Sequence, residues 1–224
     1  MTQAEAQAQT QAQGGRIVVF VHGLWMSGHE SILLRRELRE SLDARIEVFT
    51  YRSVANDMEE NARGLSEFLA GLRASRLDLI GHSLGGLVIL KCLEDYPLDI
   101  PGRVVLLGTP LQGSVAARSL EKIPILGNML GRGITQESDR QTPRRWGGGR
   151  EVGVIAGNLP VALGRLFAPL RGAHDGTVTV EETHLPGAAD HIVLPVSHTG
   201  MMVSSKVAHQ CAFFLDHGRF DHEA

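Results

Sequence analysis

Gly81-His82-Ser83-Leu84-Gly85-Gly86 follows directly on the apolar run Leu77-Asp78-Leu79-Ile80. Its core, Gly81 to Gly85, has the G-x-S-x-G pattern, which suits a strand, a very tight turn and a helix start with one serine at the apex. The glycines let the backbone turn where a Cβ would clash. A serine held this way is lifted to the top of a sheet, beside the N-terminus of the next helix. Its hydroxyl attacks a carbonyl carbon only if a base takes the proton and a third group fixes the tautomer of that base. The bland alternative is a glycine-rich strand-to-helix turn with an incidental serine.

On sheets with this turn the chain order is serine, acid, histidine. Downstream of Ser83 lie Asp175, in His174-Asp175-Gly176-Thr177-Val178, and His198, in Ser197-His198-Thr199-Gly200-Met201. The chain has 10 histidines, so position must choose among them. His198 alone follows the carboxyl end of the last predicted strand, and His174, His184, His191 and His209 are then surface or strand histidines. Asp190 is the rival acid. It should start the last strand, at the opposite sheet edge from Ser83, which favours Asp175. An oxyanion formed in acyl transfer needs two preset N–H donors. The Leu84 amide, just after the serine, is one. The other should come from His22-Gly23-Leu24-Trp25, with Leu24 first and Trp25 second.

Strands are predicted at 16–21, 46–51, 77–82, 103–108, 151–157 and 191–196, and helices near 29–42, 56–74, 84–95 and 199–217. Nearly continuous apolar runs such as Ile17-Val18-Val19-Phe20-Val21 suit parallel strands covered on both faces. Strand–helix alternation predicts an α/β fold, a doubly wound and mostly parallel sheet of about six strands. Ligands bind such sheets beyond the carboxyl ends of the strands. His22, Ser83, Thr109 and the Asp175 loop should share that edge.

Residues 111–150 break the rhythm and are expected to form a lid-like insertion. A surface excursion with a short helix near 115–122 is the alternative. Ile125 and Met129 in this insertion, with Trp25, are the candidate substrate-binding residues, since acyl pockets are mostly apolar. The run 159–170 could add to such a pocket or simply pack in the core. Residues 111–150 hold seven basic and three acidic side chains. That rim could attract an anionic head group, though solvation of an exposed loop explains it as well.

Bulk properties exclude several classes. A chain of 224 residues with 43% hydrophobic content suits one domain, 15–224, after an Ala/Gln-rich tail, 1–14, expected to be disordered. A net charge of -3 gives no bias toward nucleic acid. The tail lacks the basic and apolar regions of a signal peptide, and no apolar run reaches transmembrane length. The cytoplasm is the default location, with transient membrane-surface contact left open and the oligomeric state undetermined. Cys92 and Cys211 are expected as buried free thiols. No metal-ligand spacing or nucleotide loop is present, and serine acyl transfer needs no cofactor.

Val21-His22-Gly23, Gly81 to Gly86, Gly108-Thr109-Pro110, Asp175-Gly176 and Ser197-His198 together resemble the α/β-hydrolase superfamily. Within it the chain looks like the small bacterial lipases and lipase-like esterases, and 196–207 is similar to the histidine region of compact triacylglycerol lipases. The resemblance spans roughly 16–217. It implies Ser83 as nucleophile, Asp175 as acid, His198 as base and Leu24 and Leu84 as the oxyanion hole, in a serine carboxylic-ester hydrolase working through an acyl-enzyme. A thioesterase or acyltransferase with the same triad is the enzyme alternative, and a non-turnover ligand receptor on this fold is the alternative from another class. Compact lipases are typically exported and tend to lack a lid, so the missing signal peptide and the 111–150 segment point toward an intracellular esterase.

Overall fold

A computed structural model describes residues 14–114, 144–160 and 170–223. Six strands form one sheet: β1 (Arg16–Val21), β2 (Arg45–Phe49), β3 (Arg76–His82), β4 (Val104–Leu107), β5 (Val152–Gly157) and β6 (Asp190–Leu194). Their order is β2-β1-β3-β4-β5-β6, and every pairing is parallel. The order reverses beside β1, so β1 and β3 flank the crevice where such sheets take ligands.

The strands are apolar on both faces because helices cover both. Ile17, Val19, Val21, Leu77 and Leu79 pack on the side of α2 (Met58–Ala70) and α3 (Leu84–Asp95). Val18, Phe20, Ile80, Val105 and Leu107 pack on the side of α1 (Ile32–Ser41) and α4 (Ser205–His217). Alternate residues of one strand thus feed two separate cores. Cys92 and Cys211 are buried free thiols, one in each layer.

Local chemistry trims the predicted helices. The second begins at Met58 because Asp57 and Glu60 form a reciprocal capping box, and it stops at Ala70 before Gly71. The last is divided. A 3-10 turn occupies Gly200–Met202, then Ser204 accepts from the Val207 amide and starts α4, which ends at Gly218 with φ 74°.

Most of the predicted lid, with Ile125 and Met129, lies outside the described residues, as does 161–169. The flanks of that segment are among the described residues. Leu111, Arg144 and Trp146 are buried. Arg144 pairs with Glu94 at 2.7 Å, and Arg150 donates to the carbonyls of Leu77 and Ile100. These two arginines are structural, not part of a head-group rim. Residues 144–150 pack down the side of α3 toward the amino edge of the sheet.

At that edge Asp78 is fully buried, and its carboxylate receives Arg16 Nε at 2.7 Å, Arg76 Nε at 3.0 Å and the Arg103 amide at 2.7 Å. Removing one side of a buried ionic cluster leaves the other side uncompensated. Asp78→Ala should therefore lower the unfolding free energy by about 3 kcal/mol. Urea titration of wild type and variant measures this, and a near-zero difference would remove the cluster from the list of fold determinants.

Candidate active site

Ser83 links the end of β3 to the first turn of α3 with φ 53° and ψ -122°, one of two non-glycine residues of positive φ among those described. Its amide donates to the Leu107 carbonyl at 2.8 Å, and its carbonyl accepts from Gly86 at 3.0 Å. The turn is tight because strand and helix nearly touch. A Cβ on Gly85 would lie 2.2 Å from the Val21 carbonyl oxygen, and one on Gly86 would lie 2.1 Å from Thr109 Oγ1. The glycines of the pattern are thus demanded by close approach.

Asp175 sits in a turn pinned at several points. The loop bridges His174 to Thr179, and the Thr179 amide and hydroxyl both donate to Glu182. Asp175 Oδ1 accepts from the amides of Thr177 at 2.8 Å and Val178 at 2.7 Å. Its other oxygen, Oδ2, accepts from His198 Nδ1 at 2.7 Å. Burial by itself would raise the Asp175 carboxyl, but the His198 charge and hydrogen bond and the two amides outweigh it and hold the group below its ordinary value. The carboxylate is therefore ionised and can only accept, so His198 Nδ1 carries a proton and Nε2 keeps its lone pair in the neutral ring. His198 also donates its amide to the Asp175 carbonyl at 3.0 Å. Gly108, with φ 53°, passes under this pair, and a Cβ there would lie 3.0 Å from both Asp175 Oδ2 and His198 Nδ1.

Ser83, Asp175 and His198 thus gather at the carboxyl edge. His82, the chain neighbour of Ser83, has its ring centroid 4.6 Å from that of His198. Among the described residues the Ser83 hydroxyl has no hydrogen-bond partner. Such contacts are commonly loose until substrate is bound. Asp190 lies where the strand pattern predicts, at the start of β6, where it accepts from the Phe220 amide and His222. His184 and His191 stack on each other, and His209 pairs with Asp221.

The loop after β1 is held by contacts that sequence reading missed. His22 Nδ1–H donates to the Gly23 carbonyl at 2.8 Å, and its Nε2 accepts from the Tyr51 amide at 3.3 Å. The Tyr51 hydroxyl returns to the His22 carbonyl at 2.8 Å, and the two rings stack at 4.5 Å. A peptide carbonyl and the following N–H share one plane and point oppositely. Holding the Gly23 carbonyl therefore sets the direction of the Leu24 N–H. Neither the Leu24 nor the Leu84 amide has an acceptor among the described residues. The Trp25 amide is engaged by Ser53 Oγ at 3.3 Å, and the Trp25 side chain is 53% exposed.

This architecture is that of the α/β-hydrolases. The mature lipase BlEst2 of Bacillus licheniformis superposes with a TM-score of 0.68 at 20% identity, over 90% of this chain and 91% of that one. The phospholipase PlaB of Legionella pneumophila gives 0.62 at 18%, over 84% of this chain and 53% of its own. The RedJ thioesterase of Streptomyces coelicolor gives 0.61 at 11%, over 95% and 96%. At these identities the likeness carries the fold. The chain belongs to the family DUF7379, a domain of unknown function, whose sequence pattern matches residues 1–130. That stretch includes Leu24, Ser83 and Leu84 and stops before Asp175 and His198. No curated protein matches the chain in sequence.

Burial, and then the His198 charge, push the His82 imidazole down to about 3 from an ordinary 6.5. The unfolded chain binds a proton there below pH 6.5 while the folded chain does so only near 3, so this contribution is full above 6.5 and is lost as pH falls. His22 is lowered by burial and acts in the same direction. The unfolding free energy should decline by up to about 1 kcal/mol per pH unit for each such histidine as the solution is acidified through the imidazole range. Urea melts across that range measure it, and a flat profile would contradict the burial of neutral imidazoles.

Proposed function

We propose that the protein is a serine hydrolase of carboxylic esters, working through an acyl-enzyme. The observation that carries this reading is the Asp175–His198 hydrogen bond of 2.7 Å at the sheet edge where Ser83 stands in a strained turn. Ser83 Oγ attacks the ester carbonyl while His198 Nε2 takes its proton. Asp175 keeps the proton on Nδ1 and stabilises the imidazolium. The Leu24 and Leu84 amides receive the charge that develops on the carbonyl oxygen. His198 then protonates the departing alkoxide, which leaves as the alcohol. Water, deprotonated by the same nitrogen, releases the acid and restores Ser83. Trp25, Ile125 and Met129 are proposed to contact the acyl chain. No step requires a metal or a cofactor.

A short chromogenic ester and a fluorophosphonate probe test this reading. Wild type should turn over the ester and carry the probe on Ser83, located by mass spectrometry. Ser83→Ala should lose both, and Asp175→Asn should lose about 10³- to 10⁴-fold in kcat by misplacing the imidazole proton. An unlabelled Ser83 in folded wild type would point to a ligand-binding role instead. A matched thioester hydrolysed with far higher kcat/KM than the oxygen ester would move the substrate class to thioesters.

A further inference from the structure

The residue before the serine in a G-x-S-x-G turn is left open by the pattern, and here it is His82. Strand alternation turns Gly81 toward α3 and His82 toward the other face, where His198 lies. The His82 side chain is fully buried, and its Nε2 is 3.0 Å from the His198 carbonyl oxygen. A carbonyl only accepts, so Nε2 carries the proton and Nδ1 is bare. That Nδ1 is buried without a hydrogen-bond partner. A leucine would fill much of this volume without an orphaned lone pair, so packing alone does not account for an imidazole.

The hydrogen bonds around His198 say what the imidazole does. Its amide and its ring nitrogen both bind Asp175, at 3.0 Å and 2.7 Å. Those two bonds make the acid and base one unit but do not join that unit to the serine. Among the described residues, the bond from His82 is the one that ties His198 to β3, the strand that ends in Ser83. We propose that His82 is a positioning residue, which sets the separation of Ser83 Oγ and His198 Nε2 by holding the base through its backbone carbonyl. This rests on the reading of Ser83 and His198 as nucleophile and base. The charged and titratable groups that face His82 are His198, Asp175 and His22. Burial keeps His82 neutral, so it places no second cation beside the imidazolium that forms on His198.

The test compares the full chain as wild type, His82→Leu and His82→Gln on the same ester. Glutamine can present an N–H near the position of Nε2, whereas leucine cannot. His82→Leu should lose about 10- to 100-fold in kcat, as expected for a reacting group displaced by up to an ångström. KM should stay within about twofold, because ground-state binding does not use this bond. His82→Gln should recover kcat to within about fivefold of wild type, the residual loss reflecting a less rigid donor. A leucine variant with wild-type kcat, or a glutamine variant that falls equally far, would overturn the proposal. Should His82→Leu fail to fold, nitrogen-15 NMR of wild type decides. His82 should remain the neutral Nε2–H tautomer between about pH 8 and pH 5. The Nδ1–H tautomer, or titration in that range, would overturn it. Folded wild type that neither hydrolyses ester nor labels at Ser83 would instead reject the nucleophile, and the positioning role with it.

Discussion

The backbone of Ser83 is the constraint on which the rest of the site depends. A serine at positive φ is held in a sparsely populated conformation that costs roughly 1–3 kcal/mol. It persists because the surroundings over-determine it. The Ser83 amide is spent on the Leu107 carbonyl, α3 presses on the end of β1, and Thr109 closes the remaining space against Gly86. No relaxation of Ser83 alone is open while those contacts stand. The strain lifts the hydroxyl out of the sheet and leaves the Leu84 amide without an acceptor among the described residues, so the proposed nucleophile and the proposed oxyanion donor come from one turn.

Around that turn the candidate site is built from three histidines and one ionised carboxylate. His22 orients a peptide, His82 holds a carbonyl, and His198 faces Asp175. Burial favours the uncharged imidazole at the first two. The carboxylate stays ionised because two amides and His198 offset its own desolvation. The positive charge that appears on His198 in the proposed reaction then appears next to the carboxylate placed to stabilise it. The opposite edge carries the contrasting chemistry, a buried carboxylate surrounded by guanidinium groups. The electrostatics of the candidate site and those of the fold are thus kept at the two ends of the strands.

The sheet was legible because its signals are local. Runs such as Ile17 to Val21 and Val104 to Leu107 are apolar throughout, and a strand covered on two faces has few other ways to appear. Strand ends shifted by only a few residues. Helix ends were less legible, because a box such as Asp57 with Glu60, or Ser204 with Val207, stops or starts a helix through one or two hydrogen bonds inside an otherwise continuous apolar period. The segment 144–150 was misjudged for a related reason. Its arginines look solvated in composition, yet Arg144 finds Glu94 and Arg150 finds the carbonyls of Leu77 and Ile100, partners far away along the chain.

The sequence alone determined the residue types: a serine between close-packed glycines, an aspartate and a histidine in the right order, and the parallel strands that put their loops on one edge. Those features depend on neighbours a few positions apart. Only the tertiary structure decided that Asp175 bonds His198 while Asp190 bonds the Phe220 amide, that Trp25 gives its amide to Ser53, that His22 bonds the Gly23 carbonyl, and that His82 bonds the His198 carbonyl. His82 and His198 are 116 positions apart. No periodicity or spacing spans such a distance. Contacts of that kind exist only once two helical layers and a sheet have packed, because the packing removes water and leaves each buried polar atom to find the partner that the fold places beside it.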